Sequence, residues 1–232
     1  MHMDRRQFVK NLGLGTASLS MGSLVTASSC ALSGDSSLKQ NVKEGEDGQF
    51  LFIGDDIAIA QTEYGKVQGY LLNHVYTFLG VPYGADTSGK NRFMPPQKPE
   101  PWTDVRPAVF YGNTAPQRME NRWPNNYETF ADHWNYWDVS EDCLYLNVWT
   151  PGIADGKRRP VLVWLHGGGF TNGSGIEQDG YHGENISREG DIVFCSINHR
   201  LGPIGFSDLS GVGGEAYKDS GNVGMLDIIA AL

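Results

Sequence analysis

Apolar residues recur in four stretches of the chain, in patterns that predict the main elements of its core. Residues 161–165 are apolar without a break, which predicts a strand buried on both faces, as at the centre of a parallel sheet. Residues 191–197 predict the next buried strand, and residues 144–149 alternate as a half-buried strand does. Residues 220–232 carry apolar side chains at helical spacing. The predicted buried face of that helix consists of Val223, Leu226, Ile229 and Ala230.

Short strands and a long loop are predicted before these elements. Three β-prone runs lie at residues 57–61, 66–71 and 74–79. Asn73-His74 predicts the tight turn of a hairpin between the second and third runs. Residues 78–105 are crowded with Pro and Gly, which predicts an ordered loop.

Three glycines, Gly167 to Gly169, follow the apolar run of residues 161–165 after His166. Glycine amides at the end of a strand can face the negative charge that develops on an attacked carbonyl oxygen, because no Cβ keeps a ligand away. A glycine-rich turn without catalytic function is the alternative. A phosphate-binding P-loop is excluded, since no Gly-Lys-Ser/Thr follows.

Composition narrows the possible partners. The 232 residues are 40% hydrophobic and 11% aromatic, which is enough for one buried core and predicts one domain or two. The net charge of −9, without a basic stripe, argues against nucleic acid as a partner. Three cysteines are too few for a disulfide framework, and no His/Cys group has zinc spacing. We therefore expect no metal and no organic cofactor.

The first 49 residues predict an export signal and a leader. Residues 4–10 read DRRQFVK and are similar to the twin-arginine export motif, and a short Gly/Ser-rich apolar stretch follows. We assign residues 1–30 to this signal, with Val25-Thr26-Ala27 as a small-residue cleavage site. Cys30 offers an alternative, a lipidated first residue that would anchor the mature chain to a membrane. Residues 31–49 predict a flexible leader, and the expected location is the periplasm or the cell exterior.

Several segments from residue 61 to residue 232 resemble type-B carboxylesterases, the family of para-nitrobenzyl esterases, carboxylesterases and cholinesterases. The most specific is EDCLYLNVWTP at residues 141–151. Further similar segments are FLGVPY at 78–83, RFMPP at 92–96, Pro101-Trp102, Tyr111-Gly112, APQ at 115–117, NHRLGPIGF at 198–206 and SGNVGMLD at 220–227.

The resemblance implies an α/β-hydrolase fold, of which residues 50–232 would be the N-terminal part: half of a mostly parallel sheet flanked by helices, after a β-hairpin meander. It implies hydrolysis of a small-molecule carboxylic ester through a serine acyl-enzyme. The backbone N–H groups of Gly168 and Gly169 would be oxyanion donors, with Gly167 shaping the turn. The triad residues are not expected in this chain, because it contains no G-x-S-x-G.

The family pattern also assigns roles to side chains. Arg92 with Glu141, and Arg200 with Asp227, would form two buried ion pairs. Trp134 or Trp137 would line the substrate gorge, although a lid loop packed on the sheet is the alternative reading of this aromatic stretch.

The sequence and the family pattern also predict the states of two cysteine and two histidine residues. Cys143 would be a free thiol, because its usual partner cysteine is missing, and Cys195 a buried strand residue. His199 stands where the family has tyrosine, and neither His199 nor His166 is expected to carry protons, since the family's catalytic histidine lies far downstream.

Two other function classes share parts of this pattern. A non-catalytic binding protein on the same fold, as neuroligins are, would differ in the residue at the nucleophile elbow. The hormone-sensitive-lipase-like group also uses HGGG, but residues 92–96 and 141–151 argue against it.

The resemblance covers the first part of a domain about twice this length. We therefore expect the strand at residues 161–165 to form a raw sheet edge, which would make the chain poorly soluble alone. We also expect the chain alone to be inactive. The sequence gives no indication of oligomeric state.

Overall fold

Two β-sheets form the framework of this computed structural model, which describes residues 50–118 and 138–232. In chain order the strands are β1 (Leu51–Phe52), β2 (Ile59–Gln61), β3 (Lys66–Gln68), β4 (Tyr70–Leu72), β5 (Val75–Pro82), β6 (Arg106–Pro107), β7 (Tyr145–Thr150), β8 (Val161–Trp164) and β9 (Val193–Ile197). The larger sheet has the spatial order β1-β4-β5-β7-β9-β8, and the smaller has the order β2-β3-β6.

Parallel pairing in the larger sheet is confined to β8 and β9, and its other described pairs are antiparallel. The connections explain the difference. A two-residue turn joins β4 to β5, which only antiparallel strands allow, whereas a long crossover with a helix separates β8 from β9. The described part of the sheet is therefore mixed rather than mostly parallel, and parallel pairing begins where the glycine-rich loop is attached.

The predicted hairpin is present, but one of its predicted strands is divided. Asn73 and His74 have φ of 48° and 66° and form the turn between β4 and β5, as left-handed two-residue hairpin turns require. The run at residues 66–71 splits at Gly69 into β3 and β4, which belong to different sheets. A Cβ at Gly69 would collide with the carbonyl oxygen of Thr77, so only glycine allows the chain to cross over here.

The described helices are short and lie mainly after β8. The α-helices are α1 (Glu184–Gly190), α2 (Gly202–Phe206), α3 (Ser210–Gly213) and α4 (Val223–Ala231), and the 3₁₀ turns are Gly89–Asn91, Asp179–Tyr181, Glu215–Tyr217 and Ser220–Asn222. Among residues 50–118 and 138–232, no helix combines the length and hydrophobicity needed to cross a bilayer.

Helix α4 buries a different face from the one predicted. Val223, Asp227 and Ile228 are buried, whereas Ile229 is 64% exposed and Ala230 is exposed too. Counting apolar residues misplaced the face because the helix is anchored by a charged residue, Asp227, which is fully buried. Its anchoring contact orients the helix so that Ile229 and Ala230 face outward.

Strand β8 lies at the edge of the six-stranded sheet and pairs with β9 alone among the described strands. Val161 is 63% exposed and Leu165 is 48% exposed, so the strand predicted as buried on both faces is not buried in this structure. The physical reason is its position, since an edge strand has only one neighbour to cover it. The raw edge that we expected for this strand is therefore confirmed, as is the buried strand β9 beside it.

Candidate functional site

The glycine-rich loop starts where β8 ends and turns sharply at its second glycine. Gly168 and Gly169 have φ of 114° and 60°, and Phe170 follows with 63°. These left-handed conformations cost glycine little because it has no Cβ to clash with the next carbonyl. Gly167 does not have a left-handed conformation, so the left-handed residues of the turn are the three that follow it.

The loop is ordered through its carbonyl groups and leaves two amides available. The carbonyl oxygen of Gly168 accepts hydrogen bonds from the N–H groups of Thr171 (3.1 Å) and Asn172 (3.3 Å) and from the Thr171 hydroxyl (2.9 Å). Within the described ranges, the N–H groups of Gly168 and Gly169 donate no hydrogen bond, and both glycines are exposed. A pair of preoriented, unused amides is what an oxyanion hole requires.

Side-chain amides that the sequence reasoning missed fix the end of this loop. Gln117 accepts a hydrogen bond from Gly173 N–H through Oε1 (2.8 Å) and donates from Nε2 to the Gly173 carbonyl (2.9 Å). Asn198 Oδ1 accepts from Gly175 N–H at 2.8 Å. No pattern in the sequence marks a single Gln or Asn for such contacts, because they join residues 56 and 23 positions apart.

A cavity of about 260 Å³ lies beside the loop. Three parts of the chain line it: the glycine-rich loop, the segment after β9, and helix α4. Its walls are mostly apolar, with two imidazole rings among them. The lining residues are Leu165, His166, Gly167, Gly169, Phe170, His199, Leu201, Met225 and Ile228.

The two histidines at this cavity stack on each other. The ring centroids of His166 and His199 lie 4.9 Å apart, with 10° between the ring planes. His166 Nδ1 donates to the Gly167 carbonyl (2.8 Å), and His199 Nδ1 donates to the Arg200 carbonyl (2.9 Å). Burial lowers the pKa of His199 below its usual range, which favours the neutral ring. No local pattern predicts that these two rings meet, because they lie 33 positions apart in the chain.

The predicted ion pair between Arg200 and Asp227 is present, and each partner is next in sequence to a residue that lines the cavity, Leu201 or Ile228. Arg200 Nε and Nη2 donate to the two carboxylate oxygens of Asp227 at 2.8 and 2.6 Å, and both side chains are fully buried. Arg200 Nη1 also donates to the Met94 carbonyl at 2.8 Å. The pair therefore joins α4, the segment after β9 and the proline-rich loop, which fixes one wall of the cavity.

The second predicted ion pair is present but is not buried. Arg92 donates from Nε and Nη2 to the two carboxylate oxygens of Glu141, each at 2.6 Å. Their side chains are 46% and 21% exposed, which corrects the expectation of burial. Arg92 follows a short 3₁₀ turn on the surface and Glu141 precedes β7, so water reaches both groups. The carboxylate beside it raises the pKa of Arg92.

Both described cysteines are free thiols and buried, which confirms the free thiol predicted for Cys143 and the burial predicted for Cys195. Burial raises the pKa of the Cys143 thiol well above its usual range and that of Cys195 to about 12. Because the thiolate is the reactive form, neither residue is a nucleophile at neutral pH.

Other predicted positions fall outside the described residues. Trp134 and Trp137, the proposed gorge residues, are among them, as are the signal at residues 1–30, which includes Cys30, and the leader at 31–49. In the part of the chain that the structure describes, no His, Cys, Asp and Glu side chains group together in a way that could hold a metal ion.

The sequence matches known esterases over most of its length. The profile of the carboxylesterase family matches residues 56–232. The chain is 41% identical over 177 residues to the para-nitrobenzyl esterase of Bacillus subtilis, which covers 75% of this chain and 33% of the relative. It is 42% identical over 174 residues to the phenmedipham hydrolase of Pseudarthrobacter oxydans, covering 75% of this chain and 32% of the relative. The chain thus spans about a third of the length of these relatives.

Solved structures give the same result. An esterase from Clostridium hathewayi, described as able to hydrolyse aliphatic aromatic polyesters, superposes with a TM-score of 0.70 at 39% identity, over 79% of this chain and 35% of that one. A carboxylesterase of Geobacillus stearothermophilus superposes with a TM-score of 0.65 at 38% identity, over 75% and 33%. These likenesses confirm the predicted α/β-hydrolase fold. Together with the family profile, they show that this chain belongs to the carboxylesterase family.

Proposed function

We propose that the gene product carrying this segment is a carboxylic ester hydrolase that acts through a serine nucleophile and an acyl-enzyme. The observation that carries the proposal is the pair of Gly168 and Gly169 amides, which donate no hydrogen bond to any described residue and lie beside a largely apolar cavity. The relatives named para-nitrobenzyl esterase and phenmedipham hydrolase support small-molecule esters as the substrate class.

In this mechanism the two glycine amides act when the ester carbonyl is attacked. The carbonyl oxygen gains negative charge as the tetrahedral intermediate forms, and preoriented N–H groups stabilise that charge more than they stabilise the neutral ester. Each such donor contributes on the order of 10²–10³ in rate. Because the Gly168 carbonyl is already held by Thr171 and Asn172, the amides need little rearrangement before they act.

Residues 1–232 contain no G-x-S-x-G, so the proposed mechanism assigns no nucleophile to them. In the proposed mechanism a histidine takes the serine proton, a carboxylate orients that histidine, and the N–H after the serine is the third oxyanion donor. Cys143 and Cys195 cannot replace the serine, since both are buried and protonated.

A fluorophosphonate probe together with a nitrophenyl ester tests this function. We expect the gene product that carries this segment to bind the probe covalently at one serine and to hydrolyse nitrophenyl acetate above the buffer rate, with labelling and turnover lost together. A product that is folded but neither labelled nor active would contradict the proposal and favour the non-catalytic, neuroligin-like alternative.

We further propose that the product is exported through the twin-arginine route. The support is the sequence DRRQFVK at residues 4–10. Replacement of Arg5 and Arg6 by lysine keeps the charge and should leave the product in the cytoplasm, as fractionation and immunoblotting would show. Export of this double variant at the wild-type level would contradict the proposal.

Lipid anchoring at Cys30 is the open part of the export proposal. The Cys30→Ser variant distinguishes an anchored product from one that is not anchored. If the wild type is anchored, the variant should move from the membrane fraction to the soluble fraction, and otherwise the two proteins should fractionate alike.

A further inference from the structure

The stack of His166 and His199 joins the glycine-rich loop to the segment after β9. His166 immediately precedes the glycines, and its ring lies nearly parallel to that of His199, with 4.9 Å between the centroids. His199 is only 3% exposed. One face of the loop therefore rests on a buried ring that is itself held by a hydrogen bond to the Arg200 carbonyl.

Two further contacts run in parallel with the stack. Gly202 N–H donates to the Phe170 carbonyl at 2.7 Å, and the rings of Phe170 and Phe206 lie 5.1 Å apart. The start and the middle of the loop are thus tied to the same segment. Since the Gly168 and Gly169 amides lie between His166 and Phe170, these contacts determine where the amides point.

Burial disfavours a proton on the His199 ring, whereas the nearby Asp227 carboxylate and the hydrogen bond to the Arg200 carbonyl favour one. The loop presents His166, helix α4 presents Asp227, and its own segment presents Arg200. Asp227 is already bound by Arg200 through both oxygens, so it attracts a proton on His199 only weakly. Burial is the main cause that lowers the pKa of His199. A second positive charge on His166 would oppose protonation still further.

We propose that His199 is a positioning residue for the oxyanion loop, and that protonation of its ring releases the loop and displaces the Gly168 and Gly169 amides. The neutral ring provides a flat apolar face for His166 to pack on. An imidazolium in the same place would lie in a cavity wall formed by Leu201, Met225 and Ile228, where an unpaired charge is costly. The ring would therefore turn toward water and leave the stack. The catalytic consequence of this step rests on the proposed esterase function, but the coupling of ring and loop does not.

An NMR titration of the gene product that carries this segment tests the coupling without any substrate. With ¹³C-histidine and ¹⁵N-glycine labels, we expect the amide signals of Gly168 and Gly169 to shift with the same midpoint as the His199 ring. In His199→Phe, which keeps a flat ring but cannot take a proton, that shift should disappear. Glycine amides that do not follow the His199 titration in the wild-type protein would overturn the proposal, even if the variant failed to fold.

Steady-state kinetics test the positioning role. For His199→Ala we expect kcat for a nitrophenyl ester to fall on the order of 10-fold at pH 8, with KM within about twofold, because misplaced amides weaken transition-state binding more than substrate binding. The matched control is His182→Ala: His182 is another histidine whose pKa burial lowers, but its ring packs on Trp149. Equal kcat losses in the two variants, or a loss in KM alone, would overturn the proposal.

The pH profile separates positioning from general destabilisation. Between pH 8 and pH 5.5, kcat should decrease in both proteins, because the triad histidine titrates in both. The decrease should be about threefold smaller in His199→Phe than in the wild type, because the variant lacks the additional loss that follows protonation of His199. An unchanged profile would contradict the proposal. If the wild-type product hydrolyses no ester, the esterase function fails, and the glycine amide titration alone still decides whether His199 positions the loop.

Discussion

At the scale of single residues, the two arginine–carboxylate pairs show how much burial changes the same contact. Both are bidentate, with N–O distances of 2.6 to 2.8 Å. Arg200 and Asp227 are fully buried, whereas Arg92 and Glu141 are partly exposed. Water can replace a lost partner at the surface but not in the core, so the pairs should respond differently to mutation.

We predict that Asp227→Ala destabilises the protein by ~3–5 kcal/mol, because the Arg200 charge would remain buried without a partner. Glu141→Ala should cost much less, since solvent can hydrate the exposed Arg92 side chain. Urea denaturation of the two variants measures both effects. Equal losses of unfolding free energy would show that burial does not distinguish the pairs.

The oxyanion assignment can be tested at Gly169, where a Cβ would meet no atom within 4 Å. We predict that Gly169→Ala lowers kcat for a nitrophenyl ester on the order of 10²–10³, because relieving its left-handed strain moves an amide donor. Gly89 is the matched control, with φ of 57° and equally open space. Gly89→Ala carries the same backbone strain outside the glycine-rich loop. A wild-type rate in Gly169→Ala, or an equal loss in both variants, would show that the assignment is wrong.

Two histidines make stability depend on pH. Burial lowers the pKa of both His182 and His199 in the folded protein, while an unfolded histidine titrates near about 6.5. Between the folded and the unfolded pKa, the unfolded chain therefore binds more protons than the folded protein does. The contribution of these neutral histidines to folding stability is complete above about pH 6.5 and is lost as the pH falls through the folded pKa. Urea midpoints measured between pH 7.5 and 5 should fall, and the fall should be smaller in the His182→Phe, His199→Phe double variant. Parallel curves for the two proteins would rule out this origin of the pH dependence.

At the scale of elements, β8 is the part of the sheet with the least cover. It pairs only with β9 among the described strands, and Val161, Leu162, Trp164 and Leu165 are all more than a third exposed. An apolar strand with one open edge can pair with another chain. Strand β8 therefore both leads into the proposed oxyanion loop and presents an open edge at which chains can aggregate.

Charge at this edge should improve solubility. We predict that Val161→Lys raises the soluble fraction of residues 31–232 several-fold over wild type, because a lysine on an edge strand opposes strand pairing. Val212→Lys is the control, since Val212 is 88% exposed on α3, away from the sheets. Sedimentation after expression gives the soluble fraction; an equal gain in both variants would point to overall charge rather than to the β8 edge.

Some of the secondary-structure elements could be predicted from local sequence patterns and others could not. The hairpin turn at Asn73-His74 and strand β9 were predictable, because turn residues and continuous apolar runs are local signals. The split at Gly69 and the rotation of α4 were not. Both depend on distant contacts, a close approach to the Thr77 carbonyl and the bond between Asp227 and Arg200.

At the scale of the whole molecule, the chain holds the proposed oxyanion donors without a G-x-S-x-G motif. We predict that residues 31–232 expressed alone neither react with a fluorophosphonate probe nor hydrolyse nitrophenyl acetate above the buffer rate. The physical reason is that oxyanion donors stabilise charge only after a nucleophile has attacked. Turnover or labelling by this segment would contradict the prediction and would require a nucleophile of another kind.

The motifs of the sequence sufficed to predict the family, and the apolar run at residues 161–165 sufficed to predict the strand that leads into the glycine-rich loop. The partners within each ion pair and the free thiol of Cys143 were implied by the resemblance to that family. The burial of each ion pair, the exposure of β8, the hydrogen bonds between Gln117 and Gly173 and the stack of His166 on His199 are visible only in the folded chain. These depend on residues far apart in sequence meeting in a packed core. Burial then sets the strength of each charge and the pKa of each ring, and no local pattern encodes it.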